Sequence, residues 1–478
     1  MKRQLLLPLL LLFLGGPALL QSQEYAALSP QVREFVSVDA PVFAITHVRV
    51  VDGTGGGVLE GQTMVVSGGR IQALGATEAT PVPPDAEVVD GNGMTLIPGI
   101  VGMHDHIFYP AGPGHYNTLE YSAPRLYLAA GVTTIRTTGG MEPYTEMNLR
   151  DAIMEGEVPG PRIHVTSPYL EGPGAFTFQM HELESPEEAR RMVGYWAETG
   201  IDDFKAYTNI TRAQLAAAID EAHRRGMKIT GHLCSIGFRE AAELGIDNLE
   251  HGILVDTEFV PGKEPDVCPS SRATRESLLA LEVEGEEIRT TIRTLVENGV
   301  AVTSTLPVYE ISVPGRPPVN QMVLDAMAPD ARESYLTRRA RIGAGSGNTA
   351  EAALELEMAF ERAFVEAGGL LLAGPDPTGY GGVLPGFGNH REVELLVEAG
   401  FTPEEAIRIA TRNGALYLEE LDRIGTLEVG KQADMVLLDG DPTLDIAHIR
   451  NVVTVFKEGV GYDSARLFAS VKGTVGVR

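Results

Sequence analysis

The middle of the chain alternates short apolar runs with longer stretches in which apolar residues recur every three or four positions. The short runs are typical of buried strands and the longer stretches of amphipathic helices. Eight strands are predicted, at Thr95–Met103, Thr133–Thr137, Arg162–Thr166, Asp203–Tyr207, Lys228–Gly231, Asn248–Glu250, Ala301–Thr305 and Leu370–Ala373. Successive strand-then-helix units of this kind indicate a (β/α)8 barrel.

Helices are predicted between several of these strands, and a glycine closes many of them just before the next strand, as is common at helix C-termini. The predicted helices are Asn148–Glu155, Pro186–Glu198, Arg212–Arg225, Gly237–Leu244 and Glu286–Glu297. The stretch from Val308 to Gly347 is rich in Pro, Gly and Arg. It predicts an insertion over the mouth of the barrel before the eighth strand.

Both ends of the chain differ from the middle, because Val- and Ile-rich runs are separated there by glycine-rich turns. This pattern is typical of antiparallel strands. The runs are Ile45–Val51, Thr63–Val66, Arg70–Ala73, Glu87–Val89, Asp434–Leu438 and Val452–Lys457. We therefore predict an α/β protein in which a TIM barrel over residues 95–415 carries a small β-sandwich domain built from residues 23–94 and 416–478.

The first residues have the pattern of a secretory signal peptide over residues 1–22. Lys2 and Arg3 precede a leucine-rich run from Leu5 to Leu14, which Gly15 then interrupts. Such a run is too short to span a bilayer and is normally removed. We expect a secreted or periplasmic protein that is not membrane-bound after cleavage; an uncleaved anchor is the alternative.

Charge and cysteine content exclude some classes of protein. Among 478 residues, 38 are Lys or Arg and 65 are Asp or Glu, which gives a formal net charge of −27. Such a chain repels a phosphate backbone, so nucleic acid is not expected as a partner. Cys234 and Cys268 are the two cysteines. They cannot form a disulfide scaffold or a zinc ribbon, although one bridge between them is possible.

Metal-binding side chains occur at the ends of five predicted strands, where a barrel of this type places its active site. They are His104, His106, Lys205, His232, His251 and Asp376. His104 and His106 lie two residues apart on one strand and therefore point to the same face. Each residue alone is weak evidence, but together they predict a metal site.

Several motifs resemble those of the metal-dependent amidohydrolase superfamily. They are Leu96–His106, Ala130–Arg136, Asn248–Gly252, Thr402–Thr411 and Ile424–Val436. The resemblance covers nearly the whole chain after the leader. It is greatest to the imidazolonepropionase-related group, which includes zinc prolidases.

The resemblance implies two divalent metal ions, with zinc as the expected metal. His104, His106 and Asp376 would hold the buried ion. His232 and His251 would hold the more exposed ion. Lys205, carboxylated on its amine, would bridge the two, because a free ammonium has no lone pair to offer a cation.

The implied reaction is hydrolysis of an amide bond, in a peptide or N-acyl amino acid, by a hydroxide shared between the two ions. Asp376 would pass the proton to the leaving group, and Tyr207 could reach the pocket. Arginines that could bind a substrate carboxylate are Arg136, Arg338, Arg341 and Arg391.

The sequence departs from the prolidase pattern in two places. Cys234 stands where these relatives often have a carboxylate-binding tyrosine, and the loop Ser167–Phe178 lacks their Gly-Gly-His segment. One alternative is a mononuclear deaminase or cyclic-amide hydrolase in which Lys205 is unmodified. Another is an exported binding protein without catalysis. A homo-oligomer is left open.

Overall fold

The computed structural model describes residues 28–112, 115–345 and 349–476. The predicted signal peptide therefore lies outside the described residues. The strands are β1 Val36–Val38, β2 Val42–Val50, β3 Leu59–Ser67, β4 Arg70–Ala76, β5 Glu87–Asp90, β6 Met94–Pro98, β7 Ile100–Asp105, β8 Phe108–Gly112, β9 His115–Thr118, β10 Val132–Thr137, β11 Arg162–His164, β12 Phe204–Ala206, β13 Ile229–Gly231, β14 Asn248–Glu250, β15 Ala301–Ser304, β16 Leu371–Ala373, β17 Met435–Asp439, β18 Val452–Lys457 and β19 Val460–Asp463.

Helices alternate with the strands through the middle of the chain. They are α1 Pro30–Arg33, α2 Ser122–Ala129, α3 Pro143–Met154, α4 Pro186–Thr199, α5 Arg212–Arg224, α6 Phe238–Leu244, α7 Ser271–Leu278, α8 Glu286–Glu297, α9 Leu306–Glu310, α10 Gln321–Ala326, α11 Pro329–Gly343, α12 Ala350–Glu366, α13 Phe387–Glu398, α14 Pro403–Arg408, α15 Gly414–Tyr417 and α16 Ser464–Ser470. Within the described ranges, no helix is both long and apolar enough to cross a membrane.

Parallel strands form the middle of the molecule in two hydrogen-bonded groups, β11-β10-β7 and β12-β13-β14-β15-β16. A bridge between Thr166 and Asp203 links the first group to the second. At the other side, the backbone N–H of Asp376 donates to the carbonyl of His104 at 3.1 Å. These contacts bring the carboxyl ends of strands distant in sequence to the same region.

The terminal strands form one nine-stranded sheet with the order β1-β19-β18-β17-β6-β2-β3-β4, in which β5 pairs with β2. Both ends of the chain therefore contribute to a single sheet. Its buried face has a core of its own, in which Phe43 and Phe456 stack at 5.1 Å. The predicted sandwich form of this domain and the predicted domain boundaries stay predictions.

The prediction of one strand over Thr95–Met103 was wrong, because this stretch belongs to two strands in different sheets. β6 pairs with β17 and β2 in the terminal sheet, whereas β7 pairs with β10. The chain changes sheet at Gly99, where a Cβ would collide with the side chain of Thr133. A continuous apolar run cannot reveal such a change, because both strands are buried.

The predicted helices agree closely with those in the structure. Helix α8 has the predicted bounds, and α3 begins five residues before the predicted Asn148 because Pro143 suits the first turn of a helix. The segment predicted as an insertion contains α10 and α11. Tyr335 of α11 stacks on Tyr380 at 5.8 Å, so this segment packs against the chain that follows the eighth parallel strand.

Arg162 of β11 connects the parallel strands to the terminal sheet region. Its guanidinium donates to Asp434 at 3.1 Å, Gln432 at 2.9 Å and Glu458 at 2.7 Å. We expect Arg162→Ala to lower the free energy of unfolding by about 3 kcal/mol, since it leaves a buried carboxylate without its partner. Urea unfolding followed by circular dichroism measures this loss.

The matched control is Arg190→Ala, which removes an exposed pair with Asp220. Surface pairs of this kind contribute about 0.5 kcal/mol. Equal losses in the two variants would contradict a structural role for Arg162.

Candidate metal centre

The six residues predicted as metal ligands line one cavity at the carboxyl ends of the parallel strands. His104 lies in β7 and His106 directly follows it, while Lys205 lies in β12. His232 and His251 follow β13 and β14, and Asp376 lies three residues after β16. Residues separated by up to 272 positions in the sequence therefore surround the same space.

Asp376 is the carboxylate that the histidines of this cavity approach. Its Oδ1 lies 3.3 Å from Nε2 of His106 and 3.7 Å from Nε2 of His104, and its Oδ2 lies 3.9 Å from Nδ1 of His251. Ligand atoms of His104, His251 and Asp376 all lie within 4.8 Å of one another, close enough to share one cation. This grouping differs from the implied assignment, which places His251 with His232.

His232 lies beside this group, with its ring 4.2 Å from that of His251. The ring of His251 is in turn 4.6 Å from that of His104. The imidazoles thus form a continuous row, along which a second cation could share ligands with the first.

The backbone is strained at two of the candidate ligands. His251 has a φ of 71° and Asp376 a φ of 49°, a region that residues other than glycine adopt rarely. Such conformations cost about 1–3 kcal/mol and occur preferentially at functional sites. Gly374 permits the approach of Asp376, because a Cβ there would collide with the backbone of His104.

Burial keeps the imidazoles of His104, His232 and His251 neutral, as metal binding requires. It lowers the pKa of His104 to about 4 and that of His232 to about 3, and it also lowers the pKa of His251 well below its usual value. Burial acts to raise the pKa of Asp376, but His104 and the hydrogen bond with His106 hold it far below its usual range. Neutral imidazoles with a carboxylate are a ligand set suited to zinc and similar divalent ions.

Lys205 is buried among these ligands without a hydrogen-bond partner for its amine. Burial lowers the pKa of Lys205 to about 8, although Glu250 Oε1 lies 3.8 Å from its Nζ. A buried amine without a partner is costly, and native proteins rarely leave one unsatisfied. The surroundings of the Lys205 amine therefore fit a bonding partner that the chain itself does not supply.

Glu250 is a residue of the site that the sequence analysis did not identify. It is fully buried, its Oε2 lies 2.7 Å from Nδ1 of His104, and its Oε1 accepts from Arg136 at 2.8 Å. A carboxylate in this position orients the imidazole and raises its basicity. Its place directly before His251, in the Asn-Leu-Glu-His segment, was the available signal.

Two of the arginines considered for substrate binding are engaged elsewhere. Arg136 is buried beneath the site, where it donates to Met103 and Asn248 as well as to Glu250. Arg391 forms ion pairs with three glutamates, at positions 310, 394 and 398. Neither guanidinium lines the cavity of the candidate ligands. Arg338 and Arg341 line a separate surface depression.

A disulfide joins Cys234 to Cys268, so the bridge that the sequence left open is present. Cys234 lies two residues after His232. Cys268 lies in the segment that follows His251 and the short 3-10 helix over residues 252–255. Thr257 donates to the carbonyl of Cys234 at 2.6 Å. The bridge therefore ties together the two segments that follow these histidines.

Thr305 holds His251 through a hydrogen bond of 2.9 Å between Oγ1 and Nδ1. We expect Thr305→Val to lower metal affinity about ten-fold, since residues that orient a ligand typically contribute 10–100-fold. Competition with a chromogenic chelator measures this affinity.

Thr303→Val is the matched control. It removes a buried side-chain hydrogen bond to Asn248 on the neighbouring strand β14, and it keeps the backbone carbonyl of Thr303 that accepts from the N–H of His251. Unchanged affinity in the Thr305 variant, or equal losses in both, would contradict the orienting role.

Known proteins are similar to this chain in sequence and in fold. The amidohydrolase family model matches residues 95–461. An imidazolonepropionase from Herpetosiphon aurantiacus is 23% identical over 429 residues, 79% of this chain and 83% of the relative. Another, from Idiomarina loihiensis, is 35% identical over 65 residues, 14% of this chain, and the match spans 16% of that relative's length.

A crystal structure of a Xaa-Pro dipeptidase with methionine bound in its active site is similar in fold. It has a TM-score of 0.65 and 20% identity, and the match covers 88% of this chain and 100% of that one. The fold is therefore α/β of the TIM-barrel type. Since the family model covers far more than half of the sequence, the chain belongs to the amidohydrolase family.

Proposed function

We propose that this protein is a metal-dependent hydrolase that cleaves an amide bond in a small molecule. The observation that carries the proposal is the meeting of four histidines, one aspartate and one lysine amine without a hydrogen-bond partner around a single cavity. Peptides and N-acyl amino acids are the first substrates to test.

The residues of the cavity fit two divalent ions, with zinc as the expected metal. Four imidazoles and Asp376 would hold them, and Lys205, carboxylated on its amine, would bridge them. Bound ions would supply Lewis acidity and a water of lowered pKa. The lowered pKa of Lys205 supports the modification, because only an uncharged amine reacts with carbon dioxide.

Asp376 is the residue to which we assign proton transfer. One of its oxygens would accept the proton of the attacking water and deliver it to the amide nitrogen, which leaves poorly without a proton. Thr378 donates to Oδ1 of Asp376 at 3.0 Å and orients the carboxylate. Glu250 and Thr305 would keep the imidazoles of His104 and His251 in position.

The test of this proposal is a hydrolysis screen of dipeptides, N-acyl amino acids and uncharged N-acyl amines with the zinc-loaded protein. Release of the free amine, inhibited by a chelator and restored by added zinc, is the expected result. Turnover that does not depend on the metal would contradict the proposal.

A mononuclear hydrolase of cyclic amides is the second candidate. The similarity to imidazolonepropionases and the compact group formed by His104, His251 and Asp376 favour it. Metal analysis separates the two candidates, because the first requires two ions per chain and the second requires one.

Export from the cytoplasm is also proposed. The disulfide between Cys234 and Cys268 supports it, because such bridges persist in oxidising compartments. Fractionation of the producing cells, followed by immunoblotting, tests this proposal; recovery of the protein solely from the cytosol would contradict it.

A further inference from the structure

Four aromatic rings form a continuous arc along the wall of the cavity that holds the candidate ligands. They belong to Phe108, Tyr116, Phe176 and Tyr207, all of which line this cavity. Successive ring centroids are 5.2, 6.0 and 5.9 Å apart. These are separations at which aromatic rings are in contact, so the arc is one apolar surface.

Both ends of the arc touch candidate ligands. Phe108 stacks on the ring of His106 at 4.3 Å, and Tyr207 meets the ring of His232 edge-on at 5.0 Å. A molecule that reacts between these imidazoles therefore lies beside the aromatic arc.

Phe176 leaves much of its ring open to solvent, whereas the inner end of the arc is buried. Phe176 is 49% exposed and Phe108 is 3% exposed. Covering an exposed aromatic ring with apolar surface is favourable, by about 25 cal/mol per Å² removed from water. Phe176 is thus placed to be covered by an apolar part of a bound molecule.

Apart from the proposed metal ions and Lys205, the described lining of the cavity offers no cationic side chain to recognise a carboxylate. Among the described residues that line it there is no arginine, and the lysine present is Lys205, a candidate metal ligand. Carboxylate recognition normally uses a guanidinium or ammonium group.

We propose that the site prefers amides that carry an aromatic ring near the scissile bond and no free carboxylate. This inference rests on the proposed hydrolase function and narrows its substrate class. Free dipeptides and N-acyl amino acids become poorer substrates than uncharged amides with the same ring.

Binding of three non-hydrolysable sulfonamides to the zinc-loaded protein, measured by calorimetry, tests the preference without turnover. The first is N-phenethylmethanesulfonamide, the second is N-methanesulfonylphenylalanine, which adds a carboxylate, and the third is N-butylmethanesulfonamide, which lacks the ring. We expect the first to bind about ten-fold more tightly than the third, the scale of one aromatic contact, and the carboxylate to bring no gain. Tighter binding of the carboxylate, or no effect of the ring, would overturn the inference.

Phe176→Ala connects this preference to the arc. We expect this variant to bind the phenethyl compound about ten-fold more weakly. Phe178→Ala is the matched control, because Phe178 lies two residues later, is 83% exposed and does not line the cavity. Equal effects in the two variants would contradict the role of the arc.

Turnover separates failure of this inference from failure of the proposed function. N-acetylphenethylamine and N-acetylphenylalanine share one scissile bond and differ in the carboxylate. Faster cleavage of the first supports both proposals. Faster cleavage of the second overturns the substrate preference and leaves the hydrolase intact. If the sulfonamides bind as expected but no amide is cleaved, the proposed hydrolase function is refuted and the preference for an aromatic ring is retained.

Discussion

Replacement of Lys205 by alanine is expected to lower kcat by at least about 10³-fold, the upper range for loss of one electrostatic group in an active site. The amine is buried and has no hydrogen-bond partner within the described chain, so alanine removes the group proposed to bridge the two ions. We expect metal content to fall below two ions per chain, as measured by elemental analysis of the purified variant.

Chemical rescue distinguishes a bridging carboxylate from a structural lysine. Added acetate or propionate is expected to restore part of the activity of Lys205→Ala, because a free carboxylate can occupy the vacated space. Lys228→Ala is the matched control, since Lys228 precedes the neighbouring strand β13 and pairs with Glu419 at 2.6 Å. Wild-type turnover and metal content in the Lys205 variant would remove the bridging role.

Replacement of Asp376 by asparagine is expected to lower kcat by about 10²–10⁴-fold, the usual contribution of a general acid–base group. Asparagine has nearly the same shape, so an oxygen remains near His104 and His106, but it cannot accept a proton in the same way. Steady-state kinetics with a substrate from the screen measures the effect.

Metal analysis of the same variant separates proton transfer from metal binding. We expect most of the metal to be retained, because four imidazoles and Lys205 remain. Complete loss of metal would mean that Asp376 acts only as a metal ligand. Unchanged kcat would refute proton transfer through this residue.

Much of the fold was predictable because the relevant signals are local. Apolar runs followed by amphipathic stretches located the parallel strands, and helix α8 has its predicted bounds. The first parallel strand was misjudged at Gly99, since the choice between two sheets depends on partners that are far away in sequence, such as Met435 and Val132.

The candidate ligands could be named from the sequence because strand ends in this type of fold lie on one face. Their supporting residues could not. Glu250 is one of many glutamates in an acidic chain, and its contact with His104 spans 146 positions. The ion pairs of Arg136 and Arg391 with glutamates could not be predicted from the sequence either, because ion-pair partners depend on packing.

The amino-acid order alone thus determined the alternation of strands and helices, the family motifs and the set of candidate metal ligands, all of which are local or periodic properties. The tertiary structure decided which of these residues share a cavity, that Lys205 lacks a hydrogen-bond partner there, that Cys234 pairs with Cys268, and that an arc of aromatic rings lies beside the histidines in a cavity whose described lining contains no arginine. These properties depend on distances between segments remote in the chain, and such distances follow from packing.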